Sequence, residues 1–138
     1  MRYNFLPSFT RRKGRITNLQ KKNLSFLADY SLDDPNTLNN DLSFRKIALE
    51  IGFGNGEDFF SFAKEKNNTL FLASEVYKSG IGNLIRKIRE HSLENIYIHE
   101  GDIRDLIFEE KDVKFDEVYI ICPDPWPKDR HHKRRLLN

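Results

Sequence analysis

Cysteine is all but missing. Cys122 stands alone in 138 residues, so no internal disulfide can form and the chain suits a reducing cytosol. At the end of an apolar run, it reads as filler in a buried strand. Histidine is scarce too: with four His and one Cys, a closed zinc site would have to borrow carboxylates, and no metal is expected. Long apolar runs are lacking. None approaches the length of a membrane span, and residues 1–6 are too short and mixed for a signal peptide. The expectation is a cytoplasmic protein without a membrane segment. Internal repeats and long low-complexity tracts are also lacking, and the length suits one core that needs no staples.

Acids are missing where bases gather. Residues 1–22 carry seven Lys/Arg and no Asp/Glu, and residues 128–138 carry five Lys/Arg and one Asp. The middle is left with eleven bases against twenty acids. An acidic body with two basic ends suits a polyanion held by the ends. A solvated surface with a basic tail gives the same composition, so charge alone leaves both readings open.

What is present centres on Ala48-Leu49-Glu50-Ile51-Gly52-Phe53-Gly54-Asn55-Gly56-Glu57. An apolar strand runs into a glycine turn, and Glu57 and Asp58 then suit the positive end of a helix dipole. Strand, glycine loop and helix start in that order make a cofactor cradle at the carboxyl end of a parallel sheet. The spacing is G-x-G-x-G, not the dinucleotide G-x-G-x-x-G. Glu50 lies two residues before the first glycine, where a carboxylate repels pyrophosphate and attracts a cationic ligand such as S-adenosylmethionine. For the loop alone, a structural turn and a dinucleotide site remain alternatives.

Thr17 and Gln20 form a capping box ahead of a helix expected to reach about Tyr30. Residues 33–41 read as loop, with Pro35 breaking any helix. Strands are expected at residues 46–51, 69–74, 95–99 and 116–122. Helices are expected from Glu57 to about Lys66, from Ser79 to His91, and briefly from Ile103 to Phe108. Ile81, Leu84, Ile85 and Ile88 give the second of these its apolar stripe. Alternating strands and helices predict an α/β fold with a parallel sheet in the order 3-2-1-4 and the ligand site at its switch point. Each strand then carries an acid to one rim: Glu50, Glu75, Asp102 and Asp124. Glu75 follows Gly52 at a distance suited to a ribose, and Asp102 stands where an adenine amine would lie. Each acid taken singly reads equally well as a helix cap or a solvated loop residue.

Pro123-Asp124-Pro125-Trp126-Pro127-Lys128 followed by Arg130-His131-His132-Lys133-Arg134-Arg135 resembles the signature of the tRNA (guanine-N7-)-methyltransferases. Leu49-Glu50-Ile51-Gly52-Phe53-Gly54, Gly80-Ile81-Gly82-Asn83-Leu84 and Arg11-Arg12-Lys13-Gly14-Arg15 with Gln20 resemble further segments of that family. The resemblance implies a Rossmann-like class I fold with S-adenosylmethionine held by Glu50, Gly52, Gly54, Glu75, Asp102 and Asp124. It implies Asp124 as the catalytic residue, Lys128 as a substrate contact, and Arg130, His131, His132, Lys133, Arg134 and Arg135 on the RNA. The implied product is 7-methylguanine at position 46 of the tRNA variable loop. Because that class continues through further strands, residues 44–138 are expected to form a partial methyltransferase domain behind a basic arm, helix and loop over 1–43. A non-catalytic RNA-binding module with the same fold is the alternative.

Overall fold

The structure, a computed structural model, describes residues 16–32, 34–109 and 113–120. The basic arm up to Arg15, Cys122, and the whole segment from Asp124 to Arg135 lie outside the described residues.

Four parallel strands form the sheet: β1 (Lys46–Ile51), β2 (Thr69–Glu75), β3 (Ile96–Glu100) and β4 (Glu117–Ile120), in the order β3-β2-β1-β4. The expected order is the observed one. In register, Glu50 pairs with Ala73 on one side and Tyr119 on the other. Successive side chains of a strand point to opposite faces, and both faces here are apolar. Ala48, Phe71, Ala73, Ile96 and Ile98 face α3 (Glu57–Glu65) and α4 (Lys78–His91). Leu49, Leu70 and Leu72 face Leu38 and α5 (Ile103–Glu109), through Ile103 and Leu106.

The first face is aromatic. Phe59 meets Phe71 edge-on at 5.3 Å between ring centroids, and Phe62 meets Tyr119 at 4.9 Å. Fully buried, Phe59 and Phe71 each contribute on the order of 2–3 kcal/mol. Buried Asn95 supplies a polar clamp. Its amide nitrogen donates to the carbonyls of Ala63, Lys66 and Thr69, at 3.0, 3.2 and 3.0 Å, and ties the end of α3 to the start of β2.

Two expectations need correction. Residues 33–41 are not plain loop: a 3-10 helix spans Pro35–Asn40. Proline is tolerated in a first helical turn, and the Thr37 hydroxyl and amide both donate to the Asp34 carbonyl. The turn delivers Leu38, which is buried, into the second core. The first helix also stops early. It divides into α1 (Asn18–Leu24) and α2 (Leu27–Tyr30) because the Ser25 hydroxyl and amide both take the Lys22 carbonyl. Among the described residues, no helix is long and apolar enough to cross a membrane.

Candidate functional site

β1 ends at Ile51, and the chain then turns through Gly52 to Gly56 before α3 begins. Gly52 hands its amide to the Ser74 carbonyl on β2 at 2.8 Å, holding the loop against the neighbouring strand end. Gly56 occupies the N-cap of α3 at φ +83, a left-handed conformation that a side chain resists. A Cβ placed on Gly54 would meet nothing within 4 Å, so the loop borders open space there.

Glu50 lies in β1, two residues before the first glycine of this loop. It is 0% exposed, and among the described residues neither carboxylate oxygen has a hydrogen-bond partner. Burial drives its pKa from 4.5 up to about 7. A buried carboxyl without a partner costs stability, so a fold gains nothing by placing one in a central strand. The donor set is one acid, two residues before the glycine turn, with unused acceptor capacity. That fits a cationic ligand.

Glu75, at the end of β2, reaches the same loop. Its Oε1 accepts from the Gly54 amide at 2.6 Å, and its Oε2 accepts from the Val76 amide at 2.8 Å. Oε2 also accepts from the Tyr77 amide at 3.4 Å; these bonds fix the carboxylate at the rim, and Oε1 keeps a lone pair for a further donor. The Gly101 amide donates to the Glu75 carbonyl at 3.0 Å, which brings the β3 turn alongside.

Asp102 follows Gly101 and is buried, but its carboxylate is already engaged. Oδ1 accepts from the Arg104 amide at 2.9 Å, capping α5, and Oδ2 pairs with the Arg104 guanidinium at 2.9 Å. Glu50, Gly52, Gly54, Glu75 and Asp102 thus share the rim at the carboxyl ends of β1, β2 and β3. Asp124, Lys128, Arg130, His131, His132, Lys133, Arg134 and Arg135 lie outside the described residues.

Side chains that the sequence did not single out also shape this rim. Ser74 Oγ lies 3.0 Å from His99 Nδ1 and 3.3 Å from the Gly101 carbonyl, beneath the turn that carries Asp102. Gly80, near the start of α4, lies against the cofactor-type loop. A Cβ there would come 1.7 Å from the Gly54 carbonyl oxygen. The motif containing Gly80 was visible in the sequence, but its contact with Gly54 required the fold. Among the described residues, no group of three or more His, Cys, Asp or Glu could hold a metal ion.

Comparison with known proteins accords with this geometry. The profile of the family Methyltransf_4, described as "Putative methyltransferase", matches residues 44–138. A protein of Nitrosococcus oceani named tRNA (guanine-N(7)-)-methyltransferase is 43% identical, the match covering 96% of this chain and 58% of that protein. One of the same name from Neorickettsia sennetsu is 40% identical, with 97% and 59% covered. The chain therefore spans about three fifths of the length of these relatives. Among solved structures, an antibiotic-related methyltransferase superposes with a TM-score of 0.56 at 21% identity, covering 67% of this chain and 49% of that one. A 30S ribosomal A1408 methyltransferase from an uncultured bacterium does so with a TM-score of 0.51 at 25% identity, covering 69% and 47%. With its parallel β3-β2-β1-β4 sheet, its glycine turn and the family profile over residues 44–138, the chain belongs to this methyltransferase family.

Proposed function

We propose that the protein binds S-adenosylmethionine and transfers its methyl group to N7 of guanine in tRNA, at position 46 of the variable loop. The observation that carries the cofactor half is Glu50, a buried carboxyl with no partner among the described residues, on the strand that runs into the glycine loop. Relatives at 40–43% identity that bear the name tRNA (guanine-N(7)-)-methyltransferase support the substrate half.

Glu50 would hold the ammonium of the methionyl end, and the ionised carboxylate is the form that does so. Glu75 would accept from the ribose hydroxyls while its bonds to the Gly54 and Val76 amides keep it oriented. Asp102, already paired with Arg104, would offer the remaining lone pair of Oδ2 to the adenine amine. The cofactor supplies an electrophilic methyl on a sulfonium. Guanine N7 has a free lone pair, so no proton leaves before attack and positioning carries most of the rate. Asp124 is assigned to the guanine edge, where a carboxylate accepts from N1–H and N2–H and offsets the positive charge that grows on the purine. Lys128 and Arg130 to Arg135 are assigned to the RNA backbone.

The test is nucleoside mass spectrometry of tRNA incubated with the whole protein and S-adenosylmethionine. Accumulation of 7-methylguanine supports the proposal; RNA binding without product would make the protein a non-catalytic module. Titration calorimetry should show binding of S-adenosylhomocysteine and none of NAD, and the reverse result would overturn the cofactor assignment.

A further inference from the structure

α4 is gripped from both sides by backbone. On one side Gly80 lies against the Gly54 carbonyl of the glycine loop. On the other, a Cβ on Gly82 would come 2.9 Å from the Gln20 carbonyl oxygen, 3.2 Å from Gln20 Cβ and 3.3 Å from Gln20 Cα. Residues two apart on a helix are turned by about 200°, so the two glycines look out from opposite faces. α1 is thus separated from the cofactor-type loop by one bare turn of α4, a distance on the order of 10 Å.

The seat of α1 is specified chemically as well as sterically. Gln20 is the N3 residue of the capping box. Its Oε1 accepts from the Thr17 amide at 3.0 Å, and the Thr17 hydroxyl accepts from the Gln20 amide at 3.1 Å. The remaining end of the same carboxamide, Nε2, donates to Asn83 Oδ1 at 3.1 Å. One side chain therefore fixes both where α1 starts and where it rests on α4. α1 has basic Lys21 and Lys22 in its last turn and no acid in its first, and Arg11-Arg12-Lys13-Gly14-Arg15 precedes it directly in the chain.

We infer that Gln20, Gly82 and Asn83 are positioning residues for the RNA. Their joint sets Lys21 and Lys22 of α1 at a fixed distance from the loop that would hold the methyl donor. This rests on the proposed tRNA substrate and adds to it a second phosphate grip on α1, through Lys21 and Lys22, distinct from residues 128–135. A rigid footing matters because phosphate contacts far from the reacting nitrogen help the reaction only when their register with the donor is fixed.

The experiment measures steady-state methylation of tRNA by the whole protein, with kcat and both KM values determined, alongside Tm. Gly82→Ala pushes α1 off its seat. Asn83→Leu removes the acceptor for Gln20 but leaves the capping box intact, whereas Asn83→Asp keeps that acceptor. The expected result is a KM for tRNA raised about tenfold in Gly82→Ala and Asn83→Leu. kcat and the KM for S-adenosylmethionine should stay within twofold of wild type, and Asn83→Asp should restore the tRNA KM. If Gly82→Ala does not fold, the two Asn83 variants decide. A fall in Tm with an unchanged tRNA KM would make the joint a stabilising contact only and overturn the inference, leaving the proposed activity standing. If the wild-type protein neither binds nor methylates tRNA, the proposed function fails and the inference fails with it.

Discussion

Replacing Glu50 with Gln should reveal how much stability the site costs. In the unfolded chain the carboxyl titrates at about 4.5, and in the folded chain at about 7. Between those values the folded state holds a proton that the unfolded state has released. Stability from this group therefore falls as pH rises, by about 1.4 kcal/mol per pH unit. It is fully retained below pH 4.5 and fully lost above pH 7. The 4.5-to-7 window corresponds to about 3 kcal/mol. The assay is urea unfolding at half-unit steps from pH 4.5 to 8.5, for wild type and Glu50→Gln. Subtracting the two curves removes most of what other groups contribute. The wild-type stability minus that of Glu50→Gln should drop by about 3 kcal/mol from pH 4.5 to 8 with equal m-values. A difference flat with pH would refute the reading of Glu50 as a buried, uncompensated acid. At pH 6, binding of S-adenosylhomocysteine should release close to one proton from wild type, visible as a dependence of calorimetric enthalpy on buffer. Glu50→Gln should release none.

Gly80→Ala would drive a methyl into the Gly54 carbonyl; it should lower Tm and abolish binding of S-adenosylhomocysteine, and a variant that still binds would show that the loop can yield. Asn95→Ala removes the amide that three carbonyls share and should cost about 2–3 kcal/mol in urea unfolding, with ligand affinity unchanged in the folded fraction. Asp124→Ala should eliminate 7-methylguanine while tRNA binding persists; undiminished product would remove Asp124 from the mechanism. Arg134→Ala combined with Arg135→Ala should weaken tRNA binding and reduce the dependence of log Kd on log salt by about two, and an unaltered slope would place the RNA grip elsewhere.

Strand and helix periodicity made the sheet legible from sequence. β1 and α5 begin where the pattern put them, α4 begins one residue earlier, and the strand order follows from the right-handed crossover rule. The loop and its acids were legible because glycine spacing and charge are local signals. Three things were not. The 3-10 helix at Pro35–Asn40 hid behind a composition of Asn, Asp and Pro, and only the core position of Leu38 explains it. The engagement of Asp102 by Arg104 was one of two open readings, since a carboxylate two residues before an arginine can cap a helix or await a ligand. The meeting of Gln20 with Gly82 and Asn83 joins residues about sixty positions apart. No periodicity within either segment announces that contact.

The sheet's connectivity has a consequence for how the chain is made. β1 is an inner strand, yet its partner on one side arrives late: Ala48 pairs with Phe71 within 23 residues, but with Glu117 only 69 residues on. At about 5–20 residues per second of synthesis, the bare side of β1 waits roughly 4–14 seconds for β4 to leave the ribosome. During that interval an apolar strand stands with one row of amides and carbonyls open to any neighbouring nascent chain. Slow growth temperature or codon-limited translation would prolong that exposure, so yield on expression should respond to chaperone supply more than the finished fold's stability would suggest.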